Sequence, residues 1–239
     1  MPVILQRVAV YLQPRKRLHD LRSLFLSRLY SKPLIHLVGD SHVFSFKKID
    51  FFILHHIGPA TAYNLCSQAS TTKSNSKLFR VLRKINKKRD IVILVFGEID
   101  CRIHIYNQYM KNGTAISIQQ LIDKTIENYG KILQSIENEG FSFLVYGIPP
   151  ASRDENMYHY PFYADKEMRV FISRKFNEKL KEFCVKKKYP YLEIQNRFED
   201  ESGLISKAFS ADTIHLNEKA GKIIDEEIWI EVGSSNFHK

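Results

Sequence analysis

Short apolar runs and segments of helical periodicity alternate along the chain from residue 34 onward. The apolar runs, which we predict to be strands, cover residues 34–38, 50–57, 90–96, 141–146 and 191–194. The segments whose apolar residues recur at helical spacing cover residues 76–86, 121–138, 165–188 and 216–229. Such alternation is typical of a parallel sheet with helices on both of its faces. The pattern therefore predicts an α/β fold of three layers, an α/β/α sandwich around a mainly parallel five-stranded sheet.

The first 33 residues differ from the rest of the chain in charge. They hold seven Lys and Arg residues against one acid, Asp20, and so contribute +6 of the net charge of +10. Apolar residues recur among these cations at helical spacing: Leu18, Leu21, Phe25 and Leu29. We therefore divide the chain into a basic amphipathic arm, residues 1–33, and one domain, residues 34–239, which is long enough for a substantial core.

Two interpretations of the arm remain open. In the first, which we favour, it is a helix packed on the domain with a solvated basic face. In the second, it contacts an anionic membrane or a partner protein. Nucleic acid is not an expected partner, because the other basic runs, residues 84–89 and 186–188, lie near predicted helix ends, where cations offset the helix dipole.

The composition limits the cellular setting. No apolar stretch reaches the roughly 20 residues that a membrane span needs. The three cysteines are odd in number and widely spaced, which argues against a disulfide framework. The amino terminus has no basic segment ahead of its apolar residues, so we do not expect a secretory signal. We predict a cytoplasmic protein, with peripheral membrane contact through the arm as the alternative.

Two short segments hold the residue types of a nucleophile, a base and an orienting acid. Gly39-Asp40-Ser41-His42 follows the first predicted strand, and Asp212-Thr213-Ile214-His215 precedes the last predicted helix. A serine hydroxyl becomes nucleophilic when an imidazole accepts its proton, and a carboxylate fixes the tautomer of that imidazole. We predict Ser41 as nucleophile, His215 as base and Asp212 as its orienting acid. The alternative is that the first segment is only a turn and that Asp212 only caps a helix.

The two neighbours of Ser41 have simpler expected roles. Asp40 is expected to accept hydrogen bonds from nearby backbone amides and so fix the turn, or to contact substrate. His42 is expected to begin a helix rather than to act as the base, because adjacent residues point apart.

Charged and metal-ligating residue types are dense after the third predicted strand: Glu98, Asp100, Cys101, Arg102 and His104. No second cluster at zinc-ligand spacing accompanies them, so we expect neither a metal nor another cofactor. We expect Arg102 to pair with Asp100 or Glu98 and fix the loop, or to bind an anionic substrate. Asn64 is a further candidate polar group of a substrate pocket.

The order of these segments resembles the SGNH, or GDSL-like, hydrolase superfamily. Four blocks over roughly residues 34–230 carry the resemblance: Gly39-Asp40-Ser41, Gly58, Gly97-Glu98-Ile99-Asp100 and Asp212-Thr213-Ile214-His215. The resemblance implies a flavodoxin-like sheet and a triad of Ser41, His215 and Asp212.

The resemblance also implies an oxyanion hole. Its donors would be the amides of Ser41 and Gly58 and the side chain of a third-block asparagine. Ile99 occupies the position of that asparagine and has no group to donate. We therefore expect Arg102 or Asn64 to supply the third donor.

The function that the resemblance implies is the hydrolysis of a small ester or an O-acylated carbohydrate by a serine esterase. Two alternatives stay open. One is acyl transfer to a glycan hydroxyl through the same triad. The other is a glycan-binding module without catalytic activity, which the isoleucine in the oxyanion block would suit.

Overall fold

The computed structural model of the chain describes residues 14–68, 70–113, 115–155 and 160–233. Residues 1–13 of the predicted arm and residues 234–239 of the predicted domain lie outside the described residues. The strands of the described part are β1 (Ile35–Gly39), β2 (Phe52–His56), β3 (Ile91–Val95), β4 (Ser142–Tyr146) and β5 (Tyr191–Leu192). Its α-helices are α1 (Pro14–Leu29), α2 (Ser74–Leu82), α3 (Ile105–Lys111), α4 (Ile118–Asn138), α5 (Lys166–Lys187), α6 (Gln195–Phe198) and α7 (Glu218–Gly233).

The strands form one sheet in the order β2-β1-β3-β4-β5, and every neighbouring pair is parallel. This is the flavodoxin-like strand order, so the predicted α/β class and sheet type are confirmed. Both β1 and β3 are buried along their whole length, which explains why their sequences are continuous apolar runs. Because the strands all run the same way, the loops that follow them open on one edge of the sheet.

Separate apolar cores lie on the two faces of the sheet. On β3, Val92 and Leu94 point into a core shared with α2, α4 and α5, whereas Ile91, Ile93 and Val95 point into a core shared with α7. This alternation follows the two-residue period of a strand. The two cores make the molecule a three-layer α/β/α sandwich, as predicted.

The segment after β3 was not predicted as helical. A π-helical turn, Asp100–His104, runs directly into α3. Polar residues of this segment are buried, Asp100 and Asn107 among them. Since buried polar positions do not mark the outer face of a helix, the helical period is hidden in the sequence. At the other end of the sheet, β5 ends at Leu192, two residues before its predicted end.

Helix α1 packs on the domain beside β2. The residues that pack are its polar ones: Ser23 and Ser27 are fully buried. The apolar residues that define the amphipathic pattern are instead exposed: Leu18, Leu21, Phe25 and Leu29. Within the described ranges, no helix has both the length and the apolar character needed to cross a bilayer.

Candidate active site

The turn after β1 holds Ser41 at the carboxyl edge of the sheet. Gly39 ends β1 so close to β3 that a Cβ atom at this position would collide with the carbonyl oxygen of Val95. Asp40 then caps a 3₁₀ helix, Ser41–Phe46, by accepting a hydrogen bond from the amide of His42 at 2.9 Å. Gly39 thus allows the close approach of β1 and β3, Asp40 caps the 3₁₀ helix, and Ser41 is the first residue of that helix.

Ser41, His215 and Asp212 form a continuous series of hydrogen bonds. The Oγ atom of Ser41 lies 2.7 Å from Nε2 of His215, and Nδ1 of His215 lies 2.8 Å from Oδ2 of Asp212. Oδ1 of Asp212 also accepts the amides of Ile214 and His215, each at 2.7 Å. Partial burial raises the pKa of Asp212, but these hydrogen bonds outweigh it and lower the pKa below its usual value. An ionised Asp212 favours the tautomer in which Nδ1 of His215 carries the proton, leaving Nε2 free to accept from Ser41.

Hydrogen bonds from two other segments hold the Asp212–His215 turn at this edge of the sheet. The amide of Arg153, in the loop after β4, donates to the carbonyl oxygen of Thr213 at 2.7 Å. On the other side, the hydroxyl of Ser45 in the 3₁₀ helix donates to the carbonyl oxygen of Leu216 at 2.8 Å. The turn is therefore fixed to the segment that carries Ser41 and to the loop after β4.

The loop after β2 brings Gly58 beside the end of β1. The amide of Ile57 donates to the carbonyl oxygen of Gly39 at 2.9 Å. Gly58 follows with φ of +94°, a conformation that L side chains rarely adopt. A glycine is therefore favoured at this position by the backbone alone.

Asp100 joins the loops after β2 and β3. Its carboxylate accepts the amide of Ala62 at 2.7 Å and the amide of Tyr63 at 3.1 Å. Burial raises the pKa of Asp100 to about 7, although the two amides oppose this shift. The carboxyl group therefore fixes a loop rather than pairing with Arg102, which was one of the two predicted pairings.

Arg102 pairs with Glu98, the other predicted partner. Its Nε atom donates to Oε1 of Glu98 at 2.6 Å, and its Nη1 atom lies 4.0 Å from Oδ2 of Asp154. Asp154, in the loop after β4, also accepts the hydroxyl of Tyr163 at 2.6 Å. The guanidinium thus links the loops after β3 and β4.

His42 has a role that the sequence did not reveal. Its Nε2 atom lies 3.2 Å from Oε2 of Glu98, and its ring packs on the ring of His215 with centroids 4.8 Å apart. Burial raises the pKa of Glu98, but Arg102 and His42 outweigh it and lower the pKa to about 2. Burial lowers the pKa of His42, but Asp40 and Glu98 outweigh it and raise the pKa above its usual value. The imidazole of His42 therefore lies between the carboxylate of Glu98 and the ring of His215.

The third-block position does not supply an oxyanion donor. Ile99 is half-buried and directly precedes the π-helical turn after β3. Asn64 is exposed, and its backbone N–H donates to the hydroxyl of Thr61 at 3.2 Å. Two residues were predicted to replace the missing third donor. Arg102 is paired with Glu98, and Asn64 lies on the loop after β2.

A cavity of about 380 Å³ opens between the loops after β2 and β3 and the helices α3 and α4. Hydroxyl, amide and basic side chains line much of it, among them Thr61, Tyr63, Asn64, His104, Gln120 and Lys124. Neither Ser41 nor His215 is among the lining residues. Of the residues predicted for the site, Asn64 and Asp100 line this cavity.

Within the described ranges, no group of three His, Cys, Asp or Glu side chains is arranged to hold a metal ion. Cys101 and Cys184 are buried free thiols, and Cys66 is partly buried. Burial raises the pKa of Cys101 well above its usual value, so its thiol stays protonated and is not a reactive nucleophile.

A parallel sheet with serine, histidine and aspartate hydrogen-bonded at its carboxyl edge is typical of hydrolytic enzymes of the α/β class. The family model of the GDSL-like lipases and acylhydrolases matches residues 37–228, and the chain belongs to this family. The matched range includes all four sequence blocks. The resemblance drawn from those blocks is therefore confirmed.

Solved structures of the same fold include several acylhydrolases. A putative acylhydrolase from Bacteroides fragilis is 15% identical with a TM-score of 0.57, covering 86% of this chain and 91% of that one. A GDSL-like lipase from Bacteroides thetaiotaomicron is 14% identical with a TM-score of 0.57, covering 92% of this chain and 97% of that one. A carbohydrate acetylesterase from Sinorhizobium meliloti is 13% identical with a TM-score of 0.53, covering 83% of this chain and 99% of that one. A search of curated protein sequences found no match.

Proposed function

We propose that the protein is a serine-dependent carboxylic ester hydrolase in which Ser41 is the nucleophile, His215 the general base and Asp212 its orienting acid. The observation that carries this proposal is the series of hydrogen bonds at 2.7 and 2.8 Å that joins the three side chains. A glycan-binding module without catalytic activity would have no need of this alignment.

Acylation would follow from the geometry. Oγ of Ser41 attacks the acyl carbonyl carbon while Nε2 of His215 takes the hydroxyl proton, and Asp212 stabilises the resulting imidazolium. The amides of Ser41 and Gly58 donate to the developing oxyanion. When the tetrahedral intermediate collapses, the bond to the alcohol oxygen breaks and His215 gives its proton to the leaving alcohol.

Deacylation would repeat the same steps with water. His215 takes a proton from the water as its oxygen attacks the acyl-enzyme, and returns that proton to Oγ of Ser41 when the carboxylic acid leaves. If a glycan hydroxyl took the place of water, the same intermediate would give acyl transfer. Product analysis in the presence of a sugar acceptor distinguishes the two outcomes.

We propose a small ester or an O-acylated carbohydrate as the substrate class. Support comes from the cavity between the loops after β2 and β3, because the hydroxyl and amide side chains in part of its lining match the hydrogen-bonding groups of a sugar. The carbohydrate acetylesterase that shares this fold agrees with the same class.

Steady-state hydrolysis of p-nitrophenyl acetate tests the proposal. We expect Ser41→Ala and His215→Ala to lose measurable turnover, because each removes a group that forms or breaks a bond. Ser135→Ala is a matched control, since the Ser135 hydroxyl donates to a backbone carbonyl within α4 and should be dispensable. Full activity in His215→Ala would overturn the assignment of the base, and full activity in Ser41→Ala would overturn the proposed function.

A further inference from the structure

Helix α1 is amphipathic in the inverted sense: its polar face is buried and its apolar face is exposed. Ser23 and Ser27 are 0% and 1% exposed against the domain. The opposite face carries a row of large apolar side chains that are 60 to 66% exposed: Leu18, Leu21, Phe25 and Leu29. We call these four residues the α1 stripe. Surface helices of soluble proteins normally turn such a stripe toward the core, so its exposure needs an explanation.

Polar contacts fix the buried face of α1 to the domain. Arg89, in the turn before β3, donates to the carbonyl oxygen of Ser27 at 2.6 Å and to its hydroxyl at 2.9 Å. Lys16 donates to the carbonyl oxygen of Leu54 in β2 at 2.9 Å, and Arg22 pairs with Asp50 at 2.8 Å. These contacts determine which side of the helix faces the domain. The exposure of the α1 stripe is therefore a consequence of specific packing.

Exposed cations border the α1 stripe on both sides. At about 100° per residue, the four apolar residues fall within an arc of about 80°. Arg22 lies next to one border of this arc, and Arg28 and Arg17 lie next to the other. Asp20, the one acid among residues 1–33, is on the packed side of the helix and is partly buried. The outward surface of α1 is therefore apolar at its centre and cationic at its edges.

This combination fits an anionic lipid surface better than a second copy of the chain. Two copies joined through their α1 stripes would bring the cationic borders of both helices into one interface, and α1 itself offers no acid there to compensate Arg17 and Arg28, whereas Arg22 is paired with Asp50 of the domain. A lipid surface accepts apolar side chains among its acyl chains while arginines extend to anionic headgroups. The thirteen residues that lead into α1 also hold nine apolar residues and one charge, Arg7.

We propose that α1 binds the protein peripherally to anionic phospholipid membranes, with the α1 stripe entering the interface and Arg17 and Arg28 contacting the headgroups. The helix lies in the plane of the interface and does not cross it. The binding is independent of the proposed ester hydrolysis, and its test does not rely on activity.

Sedimentation of the full chain with vesicles tests this proposal. The vesicles are phosphatidylcholine with about 30% phosphatidylserine, whose headgroups give the surface its negative potential. We expect Leu18→Ser/Leu21→Ser/Phe25→Ser/Leu29→Ser to weaken binding by at least about 100-fold, because four interfacial apolar contacts are lost. Arg17→Gln/Arg28→Gln should weaken binding by roughly 30-fold, and higher salt should weaken the binding of the unaltered chain.

A matched control replaces exposed apolar residues on other helices, Phe171→Ser/Val185→Ser/Ile230→Ser, and should leave vesicle binding unchanged. Circular dichroism and thermal unfolding establish that the stripe variant, Leu18→Ser/Leu21→Ser/Phe25→Ser/Leu29→Ser, keeps the fold.

Equal vesicle binding by that folded variant and the unaltered chain would overturn the proposal. The proposal would also be overturned if the unaltered chain did not bind vesicles but formed a dimer, and the stripe variant were a monomer. A second copy of the chain would then cover α1. Loss of binding on deleting residues 1–13, with binding retained by the stripe variant, would also contradict it.

Discussion

The imidazole rings of His42 and His215 pack against each other, with centroids 4.8 Å apart and an angle of 42° between the ring planes. On its other side, His42 is 3.2 Å from the carboxylate of Glu98, which Arg102 also holds. Asp212 and Ser41 fix His215 at its two nitrogens, so the ring of His42 restrains it at a face as well. We interpret His42 as a positioning residue for the proposed base.

Replacing His42 should therefore affect turnover rather than substrate binding. In His42→Ala we expect kcat to fall by about 10-fold with little change in KM, because a loosened imidazole spends less time in line with Ser41. His42→Phe keeps a ring against His215 and should recover part of the loss. Steady-state kinetics of both variants on one activated ester measure this. A rise in KM with kcat unchanged would instead assign His42 to substrate binding.

The Glu98–Arg102 pair should matter strongly for stability. Both side chains are largely buried, and Arg102→Ala would leave the carboxylate of Glu98 without its main counter-charge. We expect the free energy of unfolding to fall by about 3–5 kcal/mol, as is usual when one partner of a buried pair is removed. Urea denaturation measures the change.

Two further variants make this prediction specific. Glu98→Gln added to Arg102→Ala should restore much of the lost stability, because no buried charge is then uncompensated. Lys48→Ala breaks an exposed pair with Glu218 and should cost less than about 1 kcal/mol. A loss of the same small size in both Arg102→Ala and Lys48→Ala would contradict the account of the buried pair.

Stability should also depend on Glu98 in acid. Its pKa is about 2 in the folded protein and lies below the usual value of 4.5, so its stabilising contribution is present above pH 4.5 and is lost as the pH falls toward 2. By this linkage the contribution is on the order of 3 kcal/mol. The folded-state pKa of Asp100 is raised, and Asp100 also affects stability in this pH range. Because Asp100 is present in both Glu98→Gln and the unaltered chain, its contribution cancels when the two are compared. We expect unfolding free energies measured from pH 5 downward to fall less steeply in Glu98→Gln; parallel curves would refute this.

The isoleucine of the third block leaves the third oxyanion donor open to experiment. We expect Asn64→Ala or Arg102→Ala to lower kcat by about 10² with KM little changed, as is usual for the loss of one oxyanion donor, and Ile99→Asn to change little. Because Arg102→Ala also removes the counter-charge of Glu98, its kcat is compared at a temperature at which circular dichroism shows the variant to be folded. Asn112→Ala is the control for Asn64→Ala, because Asn112, at the end of α3, lines the same cavity as Asn64. An unchanged kcat in both alanine variants, together with a higher kcat in Ile99→Asn, would show that the oxyanion hole has only its two backbone donors.

Asp212→Asn should leave a small residual activity. The substitution removes the negative charge that supports the imidazolium and disturbs the tautomer of His215, but it leaves the nucleophile in place. The equivalent change in a serine protease lowers turnover by about 10⁴, and an ester with a good leaving group should suffer less. Steady-state kinetics on an activated ester measure this residual turnover, with Ser41→Ala as the inactive reference. Complete loss in Asp212→Asn would mean that the carboxylate is needed to fold the turn.

The sequence was sufficient to predict the sheet and to name the three hydrogen-bonded side chains. Strand-length apolar runs define β1 to β4, and Gly39-Asp40-Ser41-His42 directly follows the first of these runs in the chain. The Asp212–His215 turn directly follows no predicted strand, and it was linked to Ser41 by the residue types that the two segments hold. The family resemblance followed from the order of the same segments and is confirmed.

The contacts that the sequence did not reveal depend on distant partners. The periodicity of α1 predicts an apolar stripe but not which face packs, because that choice rests on Arg89, which is 62 residues from Ser27 in the chain. The pairing of His42 with Glu98 likewise joins residues from two different strand ends. No local pattern encodes either contact.

The most direct test of the central claim is the intact mass of the protein after treatment with a fluorophosphonate probe. An activated serine of this kind attacks the probe phosphorus, displaces fluoride and keeps the phosphonyl group as a stable ester on its oxygen. The account predicts one adduct on the unaltered chain, located at Ser41 by peptide mapping, one adduct on Ser135→Ala and none on Ser41→Ala. An unmodified wild-type chain, or an adduct that persists in Ser41→Ala, would contradict the assignment of Ser41 as the nucleophile.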